Sequence, residues 1–279
     1  MEGPLRQLMP LFLLSMWGLF YWLMSNGTIG GFHYLLLALS LFVCLLVFVN
    51  FVHVFTFSYS VATLLLSPLI AVYFQADWRG YLVSLMLALY GLRLFYFQFR
   101  RRKADSYAGI RQQIVAADKE MPFFVKVILW QFTSWNYIFY SFAVYFICKN
   151  PASGSEVVLV FAAVIMLVGL VLETLADEQK QAFKKSQAGF CAIGLYQSCR
   201  HPNYFGEILF IFGVFLAGVT YCQNTYEVAA VLISPLYLVL LMIDASRRSD
   251  ITQQQRYGEQ AAYRQYRQQV PGLLPKLFK

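Results

Sequence analysis

Four ionisable side chains stand out within or at the edge of apolar stretches of the sequence: Arg93, Glu173, Asp177 and Glu207. A charge in hydrocarbon costs several kcal/mol unless it faces protein or a wet cavity, so each is a functional candidate. Glu173 and Asp177 are four residues apart, which puts both carboxylates on one face of a helix. Lys180 and Lys184 continue that face by a further one or two turns. Interhelical ion pairs with snorkelling lysines would account for any one of these groups. A polar pocket accounts for their shared depth.

The densest local signal is Gly194 to Gly206, GLYQSCRHPNYFG, followed by Glu207. Pro202 cannot continue a helix, so Arg200 and His201 are held in a turn ahead of the next apolar run. Asn203 stands where a helix N-cap belongs, with Tyr204 beside it and Glu207 one turn on. The amides at such a terminus favour an anion such as a phosphate. Gly206 lets another backbone or a cofactor come close. Upstream, Tyr90 and Arg93 share a helix face and precede the basic run Arg100 to Lys103, which includes Arg102. Downstream, Tyr257, Gly258, Tyr263, Arg264, Tyr266 and Arg267 form a polar segment with interleaved aromatics, suited to closing over a pocket or to lying on anionic headgroups.

The elements that must position these residues are membrane helices. Of 279 residues, 59% are hydrophobic and 13% charged, where soluble domains have about 45–50% and about 25%. A soluble globule, a disulfide scaffold and a disordered chain are excluded by that balance. Apolar runs long enough to span extend over Met9–Met24, His33–Phe51, Val54–Gln75, Tyr81–Phe99, Phe123–Cys148, Val157–Ala176, Tyr204–Cys222 and Val228–Ile243. Lipid leaves helix as the fold of each, and an all-α, polytopic bundle of about eight transmembrane helices is expected. The weakest break is between the second and third runs, marked only by Asn50 and His53; seven spans with one long tilted or re-entrant segment is the alternative.

The segments Arg100–Pro122, Glu178–Asn203 and Asp244–Lys279 carry +3, +3 and +4, whereas the alternate connections sum to −1. The positive-inside rule places the basic segments and both termini in the cytosol, which requires an even number of spans. The net +8 is therefore topology and pocket charge, with no nucleic-acid partner implied. No small-residue cleavage site follows the first run, so it is expected to be retained. Cys148 and Cys222 fall at matching helix ends and are read as packing residues, with a disulfide as the alternative. The three histidines, His33, His53 and His201, are too dispersed to suggest a metal. A single polytopic domain over 1–279 is expected.

The residues Arg200-His201-Pro202-Asn203-Tyr204-Phe205-Gly206-Glu207, preceded by Gly194-Leu195-Tyr196, resemble the signature of the steroid 5-alpha-reductase-like membrane reductases, including their broad branch of unassigned substrate. The likeness extends to Leu172-Glu173-Thr174-Leu175-Ala176-Asp177 with Gln179, Phe183 and Lys184, to Tyr257-Gly258, Tyr263, Tyr266 and Leu274-Pro275, and more weakly to Gly91-Leu92-Arg93. It covers about residues 90–275; residues 1–80 are read as variable N-terminal helices. The resemblance implies NADPH in a pocket opening to the cytosol, contacted by Arg93, Arg102, Glu173, Asp177, Lys184, Arg200, His201, Asn203, Tyr204, Glu207 and Tyr263. It also implies reduction of an activated carbon–carbon double bond in a hydrophobic substrate, with Tyr90 as the acid that stabilises the developing oxygen charge. One departure concerns the substrate: those reductases hold the steroid ketone with a glutamine–glutamate pair, and the corresponding stretch here, Phe55 to Ser60, reads FTFSYS. Another hydrophobic acceptor is therefore expected in place of a 3-oxo-steroid.

Isoprenylcysteine and phospholipid methyltransferases, which use S-adenosylmethionine, share the RHP-x-Y-x-G turn. They add a paired glutamate before the aromatic tail, where Ser246–Arg256 offers only Asp250. A non-catalytic lipid-binding or scaffold protein is the third reading. Besides membrane lipids, the expected partner is a hydrophobic small molecule or lipid. A bacterial inner membrane and an endoplasmic reticulum membrane fit the hydropathy equally, and the sequence does not fix an oligomeric state.

Overall fold

The computed structural model describes residues 4–104 and 107–276. Positions 105 and 106 of the first basic segment and 277–279 of the basic tail lie outside them. The described residues form helices joined by turns and short connections, without a strand. In order they form α1 (Pro4–Ser25), α2 (Phe32–Val43), α3 (Tyr59–Tyr73), α4 (Trp78–Lys103), α5 (Ala108–Lys119), α6 (Phe123–Tyr140), α7 (Phe142–Lys149), α8 (Glu156–Ser186), α9 (Pro202–Val219), α10 (Thr225–Tyr257) and α11 (Ala261–Gln269).

All eight apolar runs fold as helix, and six of these helices are long and apolar enough to cross a membrane. They correspond to α1, α3 with its preceding turn, α4, α8, α9 and α10. Only 28% of the most apolar window of α8 is buried inside the protein, so its Val160, Val164, Leu167, Val171 and Leu175 face outward, as side chains against lipid would. Two runs differ from a plain span. The second tightens into a 3-10 turn, Cys44–Phe48, and stops at Asn50, whose Oδ1 accepts the Val52 N–H at 3.0 Å. The fifth breaks into α6 and α7 at Ser141, whose Oγ takes the Ile138 carbonyl at 2.7 Å in competition with the helix ladder.

The chain divides into two compact units, 1–163 with 214–236 and 164–213 with 237–279. In the first unit, α3 and α4 meet backbone to backbone at Gly91: a Cβ there would stand 2.5 Å from the Ser60 carbonyl oxygen and 2.9 Å from the Leu64 nitrogen. The Ser40 hydroxyl donates to the Ser134 carbonyl and the Trp130 indole to the Leu41 carbonyl, which ties α2 to α6. Arg93 in mid-α4 apart, the ion pairs described in this unit lie at helix ends. Arg79 bridges Asp77 and Glu156, and Glu227 accepts the Gln223 N–H while Asn224 caps the first turn of α10. Cys148 and Cys222 are free thiols, and Cys148 packs against Gly80.

The second unit repeats the close approach with different helices. A Cβ on Gly206 would lie 2.6 Å from the Glu173 nitrogen and 2.8 Å from the Gly169 carbonyl, and one on Gly169 would lie 2.6 Å from the Gly206 carbonyl. Gly206 therefore admits the backbone of α8. Here α10 runs on through Ser246 to Tyr257, past the end of its apolar run at Ile243, because polarity ends a span without ending a helix.

Candidate functional site

The second unit gathers most of the candidate residues: Glu173, Asp177, Lys184, Arg200, His201, Asn203, Tyr204, Glu207 and Tyr263. Glu173 and Asp177 are 4% and 7% exposed on one face of α8, and the Gly169–Gly206 contact brings the first turn of α9 against that face. Lys184, two turns beyond Asp177, is exposed. The α8–α9 connection is shaped by Gly194, at φ 57°, where a side chain would strike Gln179. Gln179 Oε1 accepts the Leu195 N–H at 3.0 Å, which sets Tyr196 so that its hydroxyl donates to the Ala176 carbonyl. Burial, then Asp177, raises the Tyr196 phenol far above its ordinary value and keeps it protonated.

Sequence reasoning left the clustering of Arg200 and His201 to a ligand, and the structure supplies a protein partner. Asp250 of α10 takes Arg200 in a two-pronged pair, Nε to Oδ1 at 3.1 Å and Nη2 to Oδ2 at 2.7 Å. The same Oδ1 accepts from His201 Nε2 at 2.8 Å. Arg200 Nη1 also caps the Val270 and Arg267 carbonyls. Three backbone bonds complete the clamp: Arg200 N–H to the Pro271 carbonyl, His201 N–H to the Gly272 carbonyl, and Lys276 N–H to the Ser198 carbonyl. The hydrogen bond to Asp250 holds the Arg200 pKa above its ordinary value. Burial pulls the His201 imidazole below its own, against the upward pull of Asp250. A carboxylate can only accept, so the proton of the neutral ring sits on Nε2 and leaves Nδ1 as an acceptor.

Asn203 is not the N-cap. The helix begins at Pro202, whose missing N–H and fixed φ suit the first helical position, so Asn203 lies inside the first turn. Its Oδ1 is buried without a hydrogen-bond partner among the described residues, and so are His201 Nδ1 and the Tyr263 hydroxyl. Tyr204 stacks on His201 with ring centres 5.5 Å apart. Tyr263 and Tyr266 are buried, and Phe190 packs on both. The Tyr266 hydroxyl donates to the Tyr196 carbonyl at 2.8 Å, so the aromatic tail is built into this unit's core.

Three candidates belong to the first unit. Tyr90 is fully buried on α4, with Tyr59 edge-on to its ring. Arg93 lays its guanidinium over the Phe97 ring. Arg102 contacts His53 Nε2 at 2.6 Å and lies over Phe57; burial first, then this arginine, lower the His53 pKa. The residue that sequence reasoning missed is Asp250. Its only signal was position: a single acid opposite a turn in which arginine and histidine are adjacent.

The chain belongs to the family described as Protein of unknown function (DUF1295), whose model matches residues 41–270. No curated protein and no solved structure matches it.

Proposed function

We propose that this membrane protein is an NADPH-dependent reductase of an activated carbon–carbon double bond in a hydrophobic substrate, of the steroid 5-alpha-reductase-like kind. The observation that carries the reading is the set of three buried, partnerless polar atoms in the second unit: His201 Nδ1, Asn203 Oδ1 and the Tyr263 hydroxyl. Each such atom costs about 1–3 kcal/mol unless something bonds to it. Two are acceptors beside a helix start, and the third both donates and accepts. Ribose hydroxyls and a carboxamide offer the matching donors, and Lys180 and Lys184 on α8 supply positive charge for phosphate. When bound, the nicotinamide supplies the hydride.

The protein's own contribution is positional. Asp250 fixes the His201 tautomer, the Gly169–Gly206 contact sets Glu207 and Asn203 against the Glu173 face, and the aromatic tail keeps water from Tyr263. Tyr90 as acid is part of the proposal on the strength of the resemblance, as are Arg93 and Arg102 as phosphate contacts. We place both termini and the basic segments in the cytosol, with eight crossings made by the six long helices, α2 with its 3-10 turn, and the broken α6–α7 pair. The host is a bacterial inner membrane or an endoplasmic reticulum membrane.

The test is thermal stabilisation of the purified protein in detergent. NADPH is expected to raise the melting temperature and S-adenosylmethionine to leave it unchanged. Stabilisation by S-adenosylmethionine alone would establish the methyltransferase instead, and by neither the scaffold. Asn203→Ala and Glu207→Gln are each expected to weaken NADPH binding at least ten-fold; unchanged affinity in both overturns the site.

A further inference from the structure

The first unit ends, around α4 and α5, in a basic collar of which the proposed chemistry uses only Arg102. The last turn of α4 carries Arg100, Arg101, Arg102 and Lys103. Three of these cations lie over aromatic rings: Arg100 over Tyr96 at 5.5 Å, Arg101 over Tyr107 at 4.7 Å and Lys103 over Phe99 at 4.1 Å. Tyr96 and Phe99 are exposed, one turn back toward the apolar body of α4. A membrane boundary favours that order, because the ring rests against acyl chains while the charge one turn on reaches the headgroups.

Next in the chain, α5 buries none of its residues. It is fixed in place all the same. Arg111 Nη1 donates to the Arg102 carbonyl at 3.1 Å, and Asp118 accepts from the Phe51 N–H at 2.8 Å and from Lys126 of α6 at 2.9 Å. The helix is therefore held at the level where α4 ends and α6 begins. Its outer face, Arg111, Val115 and Lys119 at four-residue spacing, is exposed. Pro122 then separates α5 from α6, which opens with Phe123 and Phe124, 70% and 65% exposed. Two adjacent exposed phenylalanines beside a basic helix are a liability in water and an anchor at a bilayer surface.

We propose that this collar binds anionic phospholipid headgroups of the surrounding membrane, with Arg101, Lys103 and Arg111 meeting phosphate oxygens and Phe123 and Phe124 entering the acyl boundary. The segment Arg100–Pro122 carries +3, which complements an anionic surface, and the flanking rings favour a lipid over a soluble anion. A basic run that served only to set topology would act during insertion and be indifferent to the lipid around the finished protein. The site rests on the first unit alone and stands apart from the reductase reading.

The experiment uses the full chain purified in uncharged detergent, its melting temperature followed as phosphatidylglycerol, phosphatidylcholine or inorganic phosphate is added. Phosphatidylglycerol is expected to raise it, and the other two to leave it unchanged. Salt at about 1 M, where the screening length falls to about 3 Å, is expected to remove most of the rise. Arg101→Gln, Lys103→Gln and Arg111→Gln combined are expected to increase the half-saturating phosphatidylglycerol about ten-fold, and Phe123→Ser with Phe124→Ser to increase it less. Removing equal charge from exposed positions of the second unit, by Arg247→Gln, Arg256→Gln and Arg264→Gln, is expected to leave it unchanged. Equal response of the unaltered protein to phosphatidylglycerol and phosphatidylcholine overturns the site, whatever the variants do. An equal rise with inorganic phosphate overturns it as well, by marking a soluble-anion site. So does equal weakening by the second-unit variant, which would show net charge alone at work.

Discussion

The two units bury polarity in opposite ways. The first relies on aromatic rings and on hydroxyls bonded to their own helix, and apart from Arg93 over Phe97 it keeps its ion pairs at helix ends, as at Arg79 and Glu227. The second brings charge inward, with Glu173 and Asp177 buried on α8 and an arginine and a histidine sharing one aspartate. A neutral hydroxyl network loses little when one member is removed. A charged network is committed, because removing one member strands the others. The difference teaches which unit suits a charged cofactor.

The sharpest way to break the comparison is Asp250→Ala, which leaves Arg200 and His201 without their acceptor. It should cost about 3 kcal/mol, read by chemical denaturation in detergent micelles, whereas Tyr137→Phe in the first unit should cost about 1 kcal/mol for its lost bond to Val54. Equal losses would erase the contrast. Next, Gly206→Val and Gly91→Val each push a side chain into neighbouring backbone and should cost about 2 kcal/mol or more; the melting temperature of either variant matching the parent's would show that the helices do not meet there.

A smaller effect comes with pH. Burial holds the folded-state pKa of His201 below its unfolded value, so between the two the unfolded chain binds more proton and stability rises with pH. Stability present near neutral pH should therefore fall as pH drops through about 6.5, the ordinary histidine value. Asp250, Arg200 and, from α8, Lys180 face this ring, and His201→Gln should flatten the melting-temperature profile over that window. The smallest is Tyr263→Phe, expected to change stability by no more than about 0.5 kcal/mol, since its hydroxyl has no protein partner to lose, while weakening NADPH binding. A large stability loss would show that the hydroxyl serves the fold.

Much of this was readable in advance because it is local. Spacing alone put Glu173 and Asp177 on one face, and both are buried there. The apolar runs are all helical, and Asn50 makes the turn it marked. What was hidden is long-range or finer than hydropathy. Asp250 is 50 residues from Arg200 and looked like a lone acid in a polar helix. The partner of Gly206 is another glycine, Gly169, which no local pattern announces. The break at Ser141 and the π turn before Tyr59 depend on individual carbonyls, to which an average over a window is blind.

The clamp on Arg200 also dictates an order of assembly. Its carbonyl partners on Val270, Pro271 and Gly272 are synthesised about seventy residues after the turn they secure. During elongation from the ribosome the arginine, the histidine and the start of α9 must wait in the membrane with their clamp unmade. The second unit can therefore reach its final form only after residues 270–276 have been translated, and its ionic core closes later than the turn it secures.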